Sequence, residues 1–229
     1  MLIKEKHVGK YSIKSKTKPI TFFARLNVNN ATRSPLVYTE AQGITVYSNN
    51  SANARGLVVG SGAGGSGTFT ILGGTFSTLG SSGQDAVGNS DNNTGTLNIS
   101  GGTYISSASG LAVGLGGGNN RTSILNVNSG LANIARINVN TLRATINLNG
   151  GTLAVSNIAV SAISGVNATN NFNGGILKAR GSTTSFLPLV TLAIVQCNVR
   201  DGGAIFDTDG FNISVGQPLL FVPRRRCRD

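Results

Sequence analysis

Histidine occurs once in this chain, cysteine twice and tryptophan not at all. A metal site built from imidazole or thiolate needs several such ligands, so one His7 and the separated Cys197 and Cys227 argue against it. A Ser-His-Asp arrangement would have to recruit the same His7, which lies in a lysine-rich stretch and reads as a solvated side chain. The cysteines suggest no disulfide framework either. Cys197 follows the apolar run Leu192-Ala193-Ile194-Val195 and reads as a small core residue, whereas Cys227 lies in an arginine-rich tail. Long apolar runs are also missing. Nothing reaches the length of a membrane-spanning helix, and no stretch of signal-peptide length precedes residue 40, so this sequence is not expected to carry an export address itself.

Only 12% of residues are charged, yet the net charge is +11, so its location matters. Residues 1–39 carry eight basic side chains against Glu5, and residues 223–229 carry four against Asp229. The intervening 40–222 hold seven basic and six acidic residues and are nearly neutral. The basicity therefore belongs to two ends that read as solvated arms, and a nucleic-acid partner is not expected. Glycine is abundant, at 32 residues, and the 39% hydrophobic fraction is spread as short alternating runs. That combination predicts an all-β chain with many turns.

Self-similarity sharpens this prediction. Gly-Gly or Ser-Gly pairs close alternating runs at 73–74, 101–102, 129–130, 150–151, 174–175 and 202–203, so the second glycines lie 28, 28, 21, 24 and 28 residues apart. Before the second glycine stand Phe69/Ile71, Leu97/Ile99, Leu125/Val127 and Ile146/Leu148; after it stand Phe76, Tyr104, Ala132, Leu153 and Leu177. Thr and Asn fill the positions between. Successive side chains on a strand point to opposite faces, so the apolar set lines one surface and the polar set faces water. The glycines let the backbone turn a corner. A second piece, Gly56-Leu57-Val58-Val59-Gly60, Asp85-Ala86-Val87-Gly88 and Gly110-Leu111-Ala112-Val113-Gly114, adds another short strand per unit. Units of this length with two or three strands are coils of a parallel β-helix, or β-solenoid. About seven coils at a spacing of roughly 4.8 Å would make a rod roughly 30 Å long. A β-sandwich would want Asn-Gly or Asp-Gly hairpins at shorter, regular spacing, which the sequence lacks.

The units at 94–105 and 144–155, with Asp201-Gly202-Gly203-Ala204-Ile205-Phe206-Asp207-Thr208-Asp209-Gly210-Phe211-Asn212-Ile213, resemble the autotransporter-associated β-strand repeat family over roughly residues 40–220. The resemblance implies a right-handed β-helix within a long bacterial cell-surface or secreted passenger protein. Such passengers usually carry a signal peptide and often a C-terminal translocator barrel. The alternation breaks at Phe221-Val222-Pro223-Arg224-Arg225-Arg226-Cys227-Arg228-Asp229, and the expectation is a gene fragment or a shifted reading frame at this end.

Parallel β-helices include polysaccharide lyases and hydrolases, so acid pairs merit scrutiny. Only Asp207 and Asp209 sit close together, two apart and therefore on one strand face. They are candidates for an acid/base pair or a cation site, against a plain turn at Asp209-Gly210. Lys178, Arg180 and Arg200 could supply a lyase base, but no acidic cluster accompanies them to hold calcium. The glycine-rich stretches 60–65 and 114–118 lack the Lys-Ser/Thr of a phosphate loop and read as turns, and Gly83-Gln84-Asp85 is only a fragment of the calcium-binding nonapeptide. Asn98-Ile99-Ser100 and Asn167-Ala168-Thr169 fit outward Asn- and Thr-rich faces better than glycosylation, and such faces can form hydrogen-bonded ladders or touch glycans, another cell or ice.

Sequence alone thus predicts a basic N-terminal arm and cap over 1–39, a β-helix over 40–222 and a basic tail over 223–229. Ile20, Phe22 and Phe23 are expected to cap the first coil, whereas the last has no evident cap and is expected to self-associate. The functional expectation is a non-catalytic, cofactor-free stalk or adhesive segment at the bacterial surface, with glycans or other surface components as partners. The alternative is a polysaccharide-active or polysaccharide-binding β-helix using Asp207 and Asp209.

Overall fold

The computed structural model describes the strands at 20–22, 26–28, 36–38 and 44–46, and residues 55–61, 64–79, 83–89, 92–115, 121–162 and 165–223. It is all-β: among the described residues there is no helix, and every strand pair is parallel. The chain winds through three faces in turn. One face stacks Leu36–Tyr38, Ser66–Ile71, the first half of Thr94–Ile105, the first half of Thr122–Ile134, Ala144–Leu148, Asn167–Phe172, Ile194–Val199 and Leu219–Phe221. We call this the ladder face. The next face begins at Ile20–Phe22 and runs through Ile44–Val46, Thr75–Ser77, residues 103–105 and 131–134, Thr152–Val155 and Ile176–Ala179 to Ile205–Asp207. The third stacks Leu26–Val28, Leu57–Val59, Asp85–Val87, Leu111–Val113, Ile137–Val139 and Ile158–Val160, while Thr183–Leu187 and Ile213–Val215 pair separately.

This is a parallel β-solenoid. It makes about five turns, fewer than the seven expected from the sequence, and among the residues whose burial is described the fully buried core runs from Leu57 to Cys197. Strands within the lysine-rich segment, Ile20–Phe22 among them, are already in register with later coils, while Phe23 and most of 1–39 lie outside the described residues.

The alternation dictates which side chains enter the core. Ser66–Ile71 is buried at every second residue, and the register places Phe69, Leu97, Leu125 and Ile146 above one another, as it does Ile71, Ile99, Val127, Leu148 and Phe172. Burying such a column removes apolar surface from water at roughly 25 cal/mol per Å². Cys197 continues the first column as a buried free thiol, with Asn170 packed between it and Ile146.

The glycine corners explain the period. Gly74, Gly102, Gly130 and Gly151 all adopt φ between +63° and +76°. A Cβ on Gly102 would lie 2.4 Å from the Gly74 carbonyl oxygen, and one on Gly130 2.4 Å from that of Gly102. Only glycine tolerates both the conformation and the approach. In the next coil the left-handed residue is Gly174 at +88°, not Gly175, and Gly203 follows at +79°. An extra residue therefore separates corner from strand in the last two coils, and Ile176 pairs with Ile205, 29 positions on.

Candidate functional site

Asp207 ends the last strand of the second face, Ile205–Asp207, whereas Asp209 stands beyond it in a turn and not on the same strand face as the sequence spacing implied. The register sets Asp207 beside Lys178 of the preceding coil. The Lys178 ammonium bridges both acids, 3.3 Å from Asp207 Oδ2 and 3.0 Å from Asp209 Oδ1. The Asp209 backbone N–H donates to Asp207 Oδ1 at 2.9 Å, and Asp209 adopts φ +50° before Gly210 at +80°. The turn residue and the acid pair are one structure. Behind it the Phe211 N–H donates to the Thr208 carbonyl, and the Asn212 N–H to Ser182 Oγ of the coil below.

The electrostatics follow. The N–H of Asp209, and then the Lys178 ammonium, hold the Asp207 carboxyl below its ordinary range. The carboxylates of Asp209 and then Asp207 raise the Lys178 ammonium. A glycosidase acid needs a carboxyl held up near neutrality and a lyase needs a base that readily loses its proton; these groups are shifted the other way. The Lys178 ammonium also occupies the place between the two carboxylates that a cation would take.

Beside this ion-paired turn lies a shallow trough of about 500 Å³, lined by Leu131, Asn133, Ala154, Lys178, Arg180, Asp209 and Phe211 among others. Arg180, a sequence candidate, thus joins Asp209 and Lys178 here. Arg200 does not: its guanidinium reaches the ladder face and donates to Asn171 Oδ1 at 3.2 Å.

The outward row on the ladder face forms the expected chain of amides. Nδ2 of Asn98 donates to Thr70 Oγ1, and Nδ2 of Asn126, Asn147, Asn171 and Asn198 each donates to Oδ1 of the asparagine one coil before, at 2.7 to 3.0 Å. A second row links Ser100, Asn128 and Asn149. Asn98 is therefore committed to the ladder, whereas Asn167 is exposed.

Sequence reasoning missed a third polar feature. Asp85 takes an inward position opposite Leu111 and is fully buried. It accepts from the Leu57 N–H at 2.9 Å, the Tyr104 hydroxyl at 2.7 Å, the Thr78 hydroxyl and the Ser107 N–H. Burial pushes its carboxyl up to about 6 in spite of these donors, and burial together with Asp85 raises the Tyr104 phenol well above its usual value. The one available signal was a charged residue standing where the parallel units have Leu57 and Leu111. His7, Cys227 and residues 116–118 of the second glycine-rich stretch lie outside the described residues. No protein-family model, curated protein or solved structure matches the chain.

Proposed function

We propose that this chain is a non-catalytic repeat segment of a bacterial cell-surface or secreted passenger-type protein, acting as a stalk or an adhesive surface. The observation that carries this reading is the amide ladder, which joins Thr70 to Asn198 through consecutive coils and stiffens one uniform outer face. Networks of this kind strengthen cooperatively and favour a single arrangement. Coils that repeat the same three faces in parallel register suit projection and repeated weak contact. The charge state of Asp207 and Lys178 supports a structural role for the acid pair.

Antibodies raised against residues 94–199 test the reading on intact cells of the source organism. Labelling without permeabilisation is expected, together with loss of the signal when cells are shaved with protease. Labelling only after permeabilisation would overturn the surface assignment.

A further inference from the structure

We propose that the trough beside Asp209 binds a neutral saccharide, a short stretch of a glycan chain. The inference rests on the adhesive form of the reading above and names its ligand class. Its volume of about 500 Å³ falls within the range of small-ligand pockets. The lining combines what a pyranose requires. Phe211, 37% exposed, offers an apolar plane for the C–H face of the ring, and Leu131 extends that surface. Sugar hydroxyls both donate and accept. The trough meets them with the acceptor oxygens of Asp209, whose side chain stays about half exposed after pairing with Lys178, and with the donors Arg180 and Lys178.

The charge balance selects the class. Lys178, Arg180 and Asp209 line the trough, and Asp207, just outside the lining, pairs with Lys178, so the two cations are offset by two neighbouring carboxylates. A polyanion would meet no surplus of positive charge, and a metal cation would have to displace the Lys178 ammonium. The wall is also fixed in advance. The turn at 208–211 is closed by its own Phe211 N–H and tied to the preceding coil through the Asn212 N–H on Ser182 Oγ and the Thr183 N–H on the Asn212 carbonyl. Little ordering is left for a ligand to impose.

The test is calorimetric titration of the purified chain with neutral oligosaccharides built from glucose, galactose, mannose and N-acetylglucosamine, with oligogalacturonate as the acidic control. Saturable binding of at least one neutral series is expected, weakened about tenfold or more by Phe211→Ala and by Asp209→Asn. Arg180→Gln, an exposed change, weakens it without moving the thermal midpoint and guards against a folding artefact in the other two. No saturable binding of any neutral series at millimolar saccharide would overturn the proposal. So would tighter binding of oligogalacturonate, or binding indifferent to all three substitutions. Surface labelling of cells without saccharide binding would remove this site and leave the stalk; binding by a chain found only inside cells would do the reverse.

Discussion

The coils between residues 94 and 155 and the last coil, after residue 183, follow the same three-sided path in different surroundings. In the middle, Leu125 and Val127 are fully enclosed by the coils before and after them. Their counterparts at the end of the same columns, Leu219 and Phe221, pair among the described residues with the preceding coil only and are 41% and 68% exposed. The polar rows differ likewise: Asn126 both donates and accepts, while the outward position next to Asn198 in the final strand is Leu220. A coil contributes half of each interaction, and its position in the stack decides whether the other half exists. This is the nearest-neighbour behaviour of a repeat protein.

The corner glycines give the largest expected contrast. Gly102→Ala introduces a Cβ 2.4 Å from one backbone oxygen and 2.5 Å from a backbone carbon. Gly203→Ala imposes the same left-handed conformation with nothing within 4 Å. The conformational term alone costs about 1–2 kcal/mol. Urea unfolding should place Gly203→Ala in that range and Gly102→Ala several kcal/mol beyond it; equal losses would refute the packing account. Next comes Leu125→Ala, expected to cost about 2–5 kcal/mol, against less than about 1 kcal/mol for Leu219→Ala, measured the same way.

The pH dependence sets the buried acid at the third described strand of the third face against the exposed pair at the end. The folded Asp85 carboxyl lies near 6, above its ordinary 3.8, so folding takes up a proton between those values. Stability contributed by protonated Asp85 is complete below about pH 4, is lost as pH rises through 6 and is absent above. The loss is about 3 kcal/mol at 1.36 kcal/mol for each unit. Urea midpoints should fall across pH 4–6.5 in the parent chain and stay level in Asp85→Asn. Asp207, held low, acts with the opposite sign at lower pH, and its exposure keeps that contribution small.

Asn126→Ala removes two ladder bonds and should cost about 1–2 kcal/mol, whereas Asn149→Ala, at the exposed second row, should cost less than about 1 kcal/mol. Last, the apolar edge of the final coil should make the chain associate at high concentration, with Phe221→Asp shifting size-exclusion elution toward monomer. A parent chain that elutes as monomer throughout would remove this expectation.

The solenoid was legible because its two strongest signals are local: the glycine corners and the alternation between them. Phe69, Leu97, Leu125 and Ile146 occupy the column that their distance from the corner implies. The site was less legible because it depends on register between coils. Counting from Gly175 and Gly203 sets Lys178 opposite Phe206, on the wrong face for Asp207. The corner at Gly174 and the 29-residue step restore the pairing, and neither shows in composition. Asp85 was hidden for a related reason. Thr78, Tyr104, Ser107 and Leu57 become its neighbours only once coils of unequal length are stacked.

The amide ladder also has a direction. Every side-chain donor in it points toward the coil synthesised earlier, and every acceptor toward the coil synthesised later. A chain emerging amino end first therefore always presents a finished acceptor to the asparagine that arrives next. Growth of the rod in that sense resembles a ratchet: each new turn is fastened by the one already laid down, and the open end exposes carbonyl oxygens that water can serve until its successor docks.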